Sequence, residues 1–212
     1  MKLTESIPIY RLMHVDNLPI CLKRGGLHAP HYAPENGLSY TTIHNVDIQQ
    51  VRRARYIKCG PGGTVHDYVA FYLGPRPPIL LQLHTGKVPG YDQGQEPLIY
   101  IVSKVQSVIE AGLDFVFSDG HGIALFTQWF DNIKDFDKVD WNTVYANYWA
   151  DSTEDMDRQR RKQAEFLVFQ SCPWDIVSCI GVLSESMKIK VERILNQQAI
   201  ATPVQIRNQW YY

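Results

Sequence analysis

The residue best placed for chemistry in this chain is Glu165, which stands where an apolar strand is predicted to begin. A basic, helix-like run ends just before it, and a β-prone run over 166–169 follows. A carboxylate at the mouth of a buried strand must be solvated by a cleft, paired with a cation or used in chemistry, because an isolated buried charge is costly. Strand ends that face a cleft often carry catalytic groups. A plain ion pair with a neighbouring Arg is the structural alternative.

Three further polar groups stand at predicted strand ends or loop starts. Arg11 and His14 lie where the first strand passes into a helix start, a junction that offers backbone groups to a ligand amide. Arg52 belongs to a basic run over 48–55, which suits either a solvated helix face or a phosphate contact. His121 lies between two glycines, so it is either a turn residue or an exposed imidazole that binds or reacts. A sheet that splits around a ligand would bring these side chains to the carboxylate.

Composition narrows the class of protein. The 212 residues suffice for one sizeable core, and 45% apolar with 20% charged residues is ordinary for a globular chain. A net charge of −1 attracts no polyanion globally, so nucleic-acid binding would need a local patch. The four cysteines form no C-x-x-C pair or zinc-type cluster, which predicts free thiols, no metal and a cytoplasmic location. No apolar stretch approaches the roughly 18 residues of a membrane span.

The predicted elements are several short strands, few helices and long loops, which indicates an α+β domain with a mixed sheet. Strands are predicted over 7–13, 67–73, 97–102, 115–117, 165–169, 176–183 and 204–206. Helices are predicted to start near 16–20 and to cover 48–55, 103–111 (capped by Ser103) and 186–197, while 79–83 is a strand or a buried helix. Residues 123–162 are predicted to be a largely helical insert of two or three helices. Neither familiar glycine-rich phosphate loop is present.

Four groups of residues, spread in order over nearly the whole chain, resemble one protein family. They cover 9–18; 48–53 with 62–72; 94–97 with 115–122; and 148–151 with 162–168, and residues 210–212 also fit. The chain thus resembles the DarT family of toxins, which are DNA ADP-ribosyltransferases. Many relatives carry His-x-Thr where this chain has Arg11-Leu12-Met13.

This resemblance implies a fold and a cofactor. The expected structure is a single domain over 1–212 with the ADP-ribosyltransferase fold, a split mixed β-sheet that clamps NAD in a central cleft, together with the helical insert. NAD would be a co-substrate, and Leu12 and Met13 would offer backbone groups to its nicotinamide amide. The cofactor-binding residues that the resemblance implies are Arg11, Leu12, Met13, Ile20, His28 and Arg52.

The resemblance also assigns catalytic roles to Glu165 and Arg52. Breaking the bond between nicotinamide and ribose creates an oxocarbenium-like centre, and a carboxylate near the ribose stabilises that charge. The acceptor would be thymine N3, with Arg52 helping to remove or stabilise its proton. Because the guanidinium pKa is very high, stabilisation of the deprotonated base is the less demanding version of this role.

Single-stranded DNA is the acceptor that the resemblance implies, and it suits the chemistry because a duplex hides thymine N3 in its base pair. The residues expected to contact DNA are Arg55, Tyr72, Arg76, His121 and Tyr148. Tryptophans of the insert can stack on bases, but we expect at least two of Trp129, Trp141 and Trp149 to belong to the core. The resemblance further implies a macrodomain-containing antitoxin as partner and no membrane.

Other functions stay open at the level of sequence. The same cleft could modify guanine, RNA or protein, or water could take the ribosyl group, which would make the chain an NAD glycohydrolase. A DNA- or NAD-sensing module without turnover is the non-enzymatic alternative. The presence of both Arg52 and Glu165 argues against it.

Overall fold

The structure, a computed structural model, describes residues 6–212, so residues 1–5 of the predicted domain lie outside the described residues. Its strands are β1 (Pro8–His14), β2 (Gly26–His28), β3 (Tyr68–Tyr72), β4 (Leu98–Lys104), β5 (Phe115–Ser118), β6 (Trp129–Phe130), β7 (Glu165–Phe169), β8 (Ser171–Pro173), β9 (Cys179–Val182) and β10 (Val204–Ile206). Its α-helices are α1 (Leu18–Lys23), α2 (Val46–Ala54), α3 (Pro78–His84), α4 (Val105–Glu110), α5 (Trp141–Val144), α6 (Arg158–Lys162) and α7 (Glu185–Gln197).

A mixed sheet organises these elements, and it splits in its middle. Within residues 6–212, eight strands follow the order β10-β9-β4-β1-β3-β7-β5-β6, while β2 pairs separately with β8. Strand β1 pairs with β4, and β3 with β7, over their whole lengths. In this part of the chain β1 and β3 meet at one registered pair, Tyr10↔Tyr72. The two halves of the sheet therefore separate beyond that pair, as the predicted split sheet requires.

Strand β7 places its first residue, Glu165, at the edge of this split. Strand side chains alternate between faces, so Phe166 and Val168 enter the large core on one side, and Leu167 enters a smaller core on the other. Glu165 lies opposite Tyr72 of β3 and is buried. Its backbone N–H donates to the Ser118 hydroxyl at 3.1 Å. The carboxylate is thus carried by a strand that is paired on both sides.

Helix α2 brings the basic run of the sequence to the same place. Asn45 begins it, because its side-chain oxygen accepts from the backbone N–H groups of Asp47 (2.8 Å) and Ile48 (3.4 Å). The charges follow the helix dipole, with Asp47 in the first turn and Arg52 and Arg53 in the last. None of its residues is buried. Helix α2 therefore lies on the rim of the molecule and points a basic end at the split.

Several local predictions need correction. Ser103 does not cap a helix, because strand β4 continues to Lys104; its hydroxyl instead donates to the carbonyl of Ile176 at 2.6 Å. Residues 79–83 are helical, within α3. Residues 176–178 do not belong to the predicted strand, which starts at Cys179 after a 3-10 turn.

The insert at 123–162 is less helical than predicted. It contains α5, α6 and a 3-10 stretch over 133–138, but loops and the short strand β6 make up the remainder. Of its tryptophans, Trp129 and Trp141 pack against core clusters, which confirms that at least two serve the core. Trp149 donates its indole N–H to the Tyr212 hydroxyl at 2.7 Å.

The insert is also joined to the body of the fold by a buried charge. Lys162, at the end of α6, donates through its ammonium to the carbonyls of Pro75 (3.0 Å), Val144 (2.7 Å) and Ala146 (3.0 Å). Such a buried ammonium is tolerated because each of its donors has an acceptor. Separately, no helix among residues 6–212 is both long and apolar enough to cross a bilayer.

Candidate active site

A cavity of about 650 Å³ opens where the sheet splits. One wall is the segment Arg11-Leu12-Met13 of β1, and the facing wall is Ala70-Phe71-Tyr72 of β3. Arg11 spans the gap, since its Nη1 donates to the Ala70 carbonyl at 2.9 Å. Helix α2 and the loop before it contribute further lining residues. The sequence therefore forms a cleft of the size expected for a nucleotide ligand.

Glu165 and Arg52 meet inside this cavity. Arg52 Nη1 lies 3.0 Å from Glu165 Oε1, and Nη2 lies 2.6 Å from Oε2, a two-pronged ion pair. Only 3% of the Glu165 side chain and 12% of the Arg52 side chain are exposed. The Gly122 backbone N–H also donates to Glu165 Oε1, at 2.8 Å. The carboxylate is thus held by three donors and fixed in one orientation.

This pairing determines the charge of both groups. Burial alone would raise the pKa of Glu165 and lower that of Arg52, because both lose water. The opposite charge and the paired hydrogen bonds outweigh burial, so the pKa of Glu165 is lowered and that of Arg52 is raised. Both groups are therefore charged at neutral pH. Arg52 is poorly suited to accept a proton and well suited to stabilise a nearby anion.

The loop between β5 and β6 carries His121 to the same cavity. Burial lowers the pKa of His121, and the positive charge of Arg52 lowers it further despite the opposing effect of Glu165. The loop is held by Arg160, whose guanidinium bonds Asp119 at 2.9 Å and whose carbonyl accepts from the His121 N–H at 2.9 Å. The neutral imidazole is thus presented to the cavity by a braced loop.

Most of the site residues predicted from sequence lie around this one cavity. Those that line it are Arg11, Leu12, Met13, His28, Arg52, Tyr72, His121 and Glu165. Four predicted residues do not line it: Ile20, Arg55, Arg76 and Tyr148. Ile20, on α1, is partly exposed and does not itself line the cavity.

The other three non-lining residues were predicted to contact DNA, and each lies on a peripheral segment. Arg55 donates to the Ala124 carbonyl at 3.0 Å, on the loop that carries His121. The guanidinium of Arg76 lies 4.4 Å from the centre of the Tyr212 ring. Tyr148 is 72% exposed. None of the three belongs to the cavity wall.

Part of the cavity lining was not predicted from the sequence. The loop residues Tyr40, Thr41, Thr42, Ile43, His44 and Asn45 contribute, as do Asn17, His66, Gln159 and Gln163. Residues 29–45 carry no sustained period, so nothing in the pattern showed which of them faces inward. Separately, no group of three or more His, Cys, Asp or Glu side chains within residues 6–212 is placed to hold a metal.

Comparison with known proteins decides the family. A family model described as "ssDNA thymidine ADP-ribosyltransferase, DarT" matches residues 10–212. The chain belongs to the DarT family. A DNA ADP-ribosyl transferase of Thermus sp. (strain 2.9) is 39% identical, over 98% of this chain and 97% of the relative. The family and the enzyme class predicted from sequence are confirmed.

Solved DarT structures confirm the fold class. Thermus sp. 2.9 DarT in complex with ADP-ribosylated ssDNA superposes with a TM-score of 0.89 at 38% identity, covering 97% of this chain and 96% of that one. The same protein in complex with NAD+ gives a TM-score of 0.86 at 37% identity, covering 98% of each chain. The split sheet of this DarT chain therefore has the same fold as the sheet of a relative that was solved with NAD+ bound.

Gly122 offers a test of how closely the carboxylate is fixed. A Cβ at this position would lie 2.9 Å from Glu165 Oε1 and 3.1 Å from the Trp129 ring. We expect Gly122→Ala to displace the carboxylate and lower the rate of ADP-ribose transfer by about 10- to 100-fold. Single-turnover transfer to an oligonucleotide measures this, with the melting temperature as the check on folding. An unchanged rate in a folded variant would contradict the prediction.

The pKa of Glu165 gives a second test, through stability. A carboxylate whose pKa is lowered by folding adds stability above its unfolded pKa, and that contribution is lost as pH falls through the folded value. We expect the difference in unfolding free energy between wild type and Glu165→Gln to stay constant from neutral pH to about pH 5 and to shift against the wild type at lower pH. Urea unfolding over a pH series measures this. A difference that stays constant down to about pH 3 would refute a lowered pKa.

Proposed function

We propose that this chain transfers ADP-ribose from NAD+ to a thymidine base in single-stranded DNA, and that it is the toxin of a toxin–antitoxin pair. The observation that carries the proposal is the meeting of Glu165 and Arg52 in one cavity at the split of the sheet. The NAD+ and the ADP-ribosylated single-stranded DNA bound by the Thermus relative support the same substrates here.

Glu165 is proposed to act on the ribose of NAD+. When the bond between ribose C1′ and nicotinamide breaks, its electron pair leaves with the nicotinamide, and positive charge develops on the sugar. A fixed carboxylate with little water around it stabilises that charge more in the transition state than in the ground state. The ion pair with Arg52 and the Gly122 N–H keep Glu165 ionised for this task.

Arg52 is proposed to act on the nucleobase. Thymine N3 loses its proton to solvent and then forms the bond to C1′, so the base carries negative charge in the interval before that bond is made. Because the pKa of Arg52 is raised, the guanidinium stabilises this anion and does not itself remove the proton. Tyr72, beside Glu165 in the sheet, and His121 are proposed to hold the base.

The remainder of the cleft is proposed to hold the cofactor and the strand. Arg11, Leu12, Met13 and His28 line the part of the cavity that we assign to NAD+. Arg55, Arg76 and Tyr148 are proposed to contact the DNA beyond the reacting base, through phosphate attraction and stacking. Ile20, next to the lining residue Cys21 on α1, stays a proposed cofactor contact although it does not itself line the cavity.

The location, the domain and the partner of the enzyme belong to the same proposal. We place the enzyme in the cytoplasm, where NAD+ and DNA are both available, and take residues 1–212 as one functional domain. Its partner is proposed to be a macrodomain-containing antitoxin that removes the modification, as the family resemblance implies. Such a pairing follows from the chemistry, because a cell that makes this enzyme must reverse or restrain it.

One experiment tests the activity and its alternatives. The chain is incubated with labelled NAD+ and four single-stranded oligonucleotides, each with one base type in a common background, and the label is located by mass spectrometry. Label on thymine supports the proposal, and label on guanine would replace the acceptor. Release of free ADP-ribose with no labelled DNA would make the chain an NAD glycohydrolase instead.

A further inference from the structure

The loop over 29–45 forms a wall of the cavity although it has little regular structure. Its only helical turn is a 3-10 stretch at 30–32. Residues 40–45 line the cavity, together with Pro30 and Ala33. A loop of this length without strands or long helices needs fixed points if its inner face is to present one surface to a ligand. The side chains of Arg24 and Asn17 supply such fixed points.

Arg24, at the end of α1, contacts the loop at several positions. Its Nη2 lies 3.2 Å from the Pro34 carbonyl, 2.7 Å from Asn36 Oδ1 and 2.9 Å from the Leu38 carbonyl. The same guanidinium lies 5.0 Å from the centre of the Tyr40 ring, within cation–π range. One side chain thus contacts four positions along a short stretch of loop.

A second set of contacts fixes the other end of the loop. Asn17 exchanges two hydrogen bonds with the Thr41 backbone, at 2.9 Å and 2.7 Å. Ile43 is buried against the core cluster that includes Leu80 and Leu83. Between these points and Arg24, the wall residues Tyr40 to His44 are held from both sides. Arg24 itself does not line the cavity.

We propose that Arg24 is a positioning residue for NAD+, which sets the affinity for the dinucleotide by fixing the loop wall and without touching the ligand. The inference rests on the proposed function, since it assigns NAD+ to this cavity. Without Arg24 the loop populates conformations that do not bind, and the apparent affinity falls in proportion to the fraction that remains competent. Glu165 lies on another element, and α2 with Arg52 and Arg55 begins beyond the anchors at Thr41 and Ile43, so we expect the chemistry and the DNA contacts to stay unchanged.

The test separates binding of NAD+ from the rest of the reaction. Arg24→Gln removes the charge and shortens the reach, whereas Lys23→Gln removes a neighbouring exposed charge and serves as the matched control. Binding of carba-NAD+, whose glycosidic bond does not break, is measured by calorimetry without DNA. We expect about tenfold weaker binding for Arg24→Gln, which corresponds to about 1.4 kcal/mol, and wild-type binding for Lys23→Gln.

Steady-state kinetics distinguish a positioning role from a general effect on the fold, because a positioning role changes the KM for NAD+ alone. The KM for NAD+ should rise with Arg24→Gln, while the kcat at saturating NAD+ and the KM for the oligonucleotide stay at wild-type values. Arg24→Lys, which keeps a cation in reach of the loop carbonyls, should recover part of the affinity. If Arg24→Gln does not fold, Asn36→Ala can replace it. This variant removes one acceptor of the Arg24 guanidinium and should also raise the KM for NAD+.

Each other result overturns the inference. Suppose that a folded Arg24→Gln, or Asn36→Ala in its place, binds carba-NAD+ with wild-type affinity. The contacts between Arg24 and the loop then do not set the affinity for NAD+. A rise in both KM values together with a fall in kcat would show that Arg24 supports the fold in general. A wild-type protein that does not bind carba-NAD+ would refute the proposed function itself, and that outcome is distinct because it appears before any variant is compared.

Discussion

Replacing Glu165 by Gln should lower the rate of ADP-ribose transfer by about 100- to 1,000-fold. Gln keeps the volume of the side chain and one acceptor oxygen for Arg52, but it removes the negative charge that faces the developing cation. The loss should appear in kcat, because the interaction is made chiefly in the transition state. Single-turnover transfer from labelled NAD+ to a thymidine-containing oligonucleotide measures it.

The control for Glu165→Gln is the same substitution at a carboxylate that does not line the cavity. Glu154→Gln changes the same charge at an exposed position and should transfer at the wild-type rate. Circular dichroism and the melting temperature establish that Glu165→Gln is folded. Full transfer by a folded Glu165→Gln would remove Glu165 from the mechanism, whatever the structure of the cavity.

Replacing Arg52 by Ala should lower transfer to DNA by about 100- to 1,000-fold and should lower the hydrolysis of NAD+ less. Loss of the ion pair with Glu165 affects transfer and hydrolysis alike and cancels in their ratio, whereas stabilisation of the acceptor base is needed for transfer alone. The measured quantity is the ratio of transferred to hydrolysed ADP-ribose in one reaction mixture. The ratio should fall in the variant.

Arg53→Ala is the matched control, because Arg53 belongs to the same helical turn of α2 but is exposed and outside the cavity lining. Its ratio of transfer to hydrolysis should equal that of the wild type. If Arg52→Ala instead weakens carba-NAD+ binding as much as it lowers transfer, Arg52 is a cofactor-binding residue and its role on the base is wrong.

The sequence carried enough information to place the two central residues. Glu165 precedes a continuous apolar, β-prone run over 166–169, so its strand was predictable from local pattern alone. Arg52 lies in a helix with a capping Asn45 and a basic last turn, signals that are equally local. That the two residues meet depends on the pairing of distant strands. The family resemblance supplied that information, and periodicity did not.

The failures of the sequence analysis share a physical cause. Ser103 has the residue type of a helix cap, yet its hydroxyl satisfies a carbonyl from a segment more than seventy residues away. The insert at 123–162 is rich in aromatic residues, and tertiary packing fixes Trp129, on β6, without a helix around it. The inward face of the 29–45 loop is set by Arg24 and Asn17, whose partners do not follow any spacing rule. Long-range side-chain bonds of this kind leave no periodic signal.

The two partners of the central ion pair differ in how firmly the fold holds their backbones. Glu165 is carried by a strand inside the sheet, with β3 on one side and β5 on the other. Arg52 is carried by a rim helix with no buried residue. Elements with few buried contacts are the first to yield when a structure rearranges. We therefore expect a sugar that inserts between the two charges to shift the helix and leave the strand in place, so that the carboxylate stays stationary while the arginine moves.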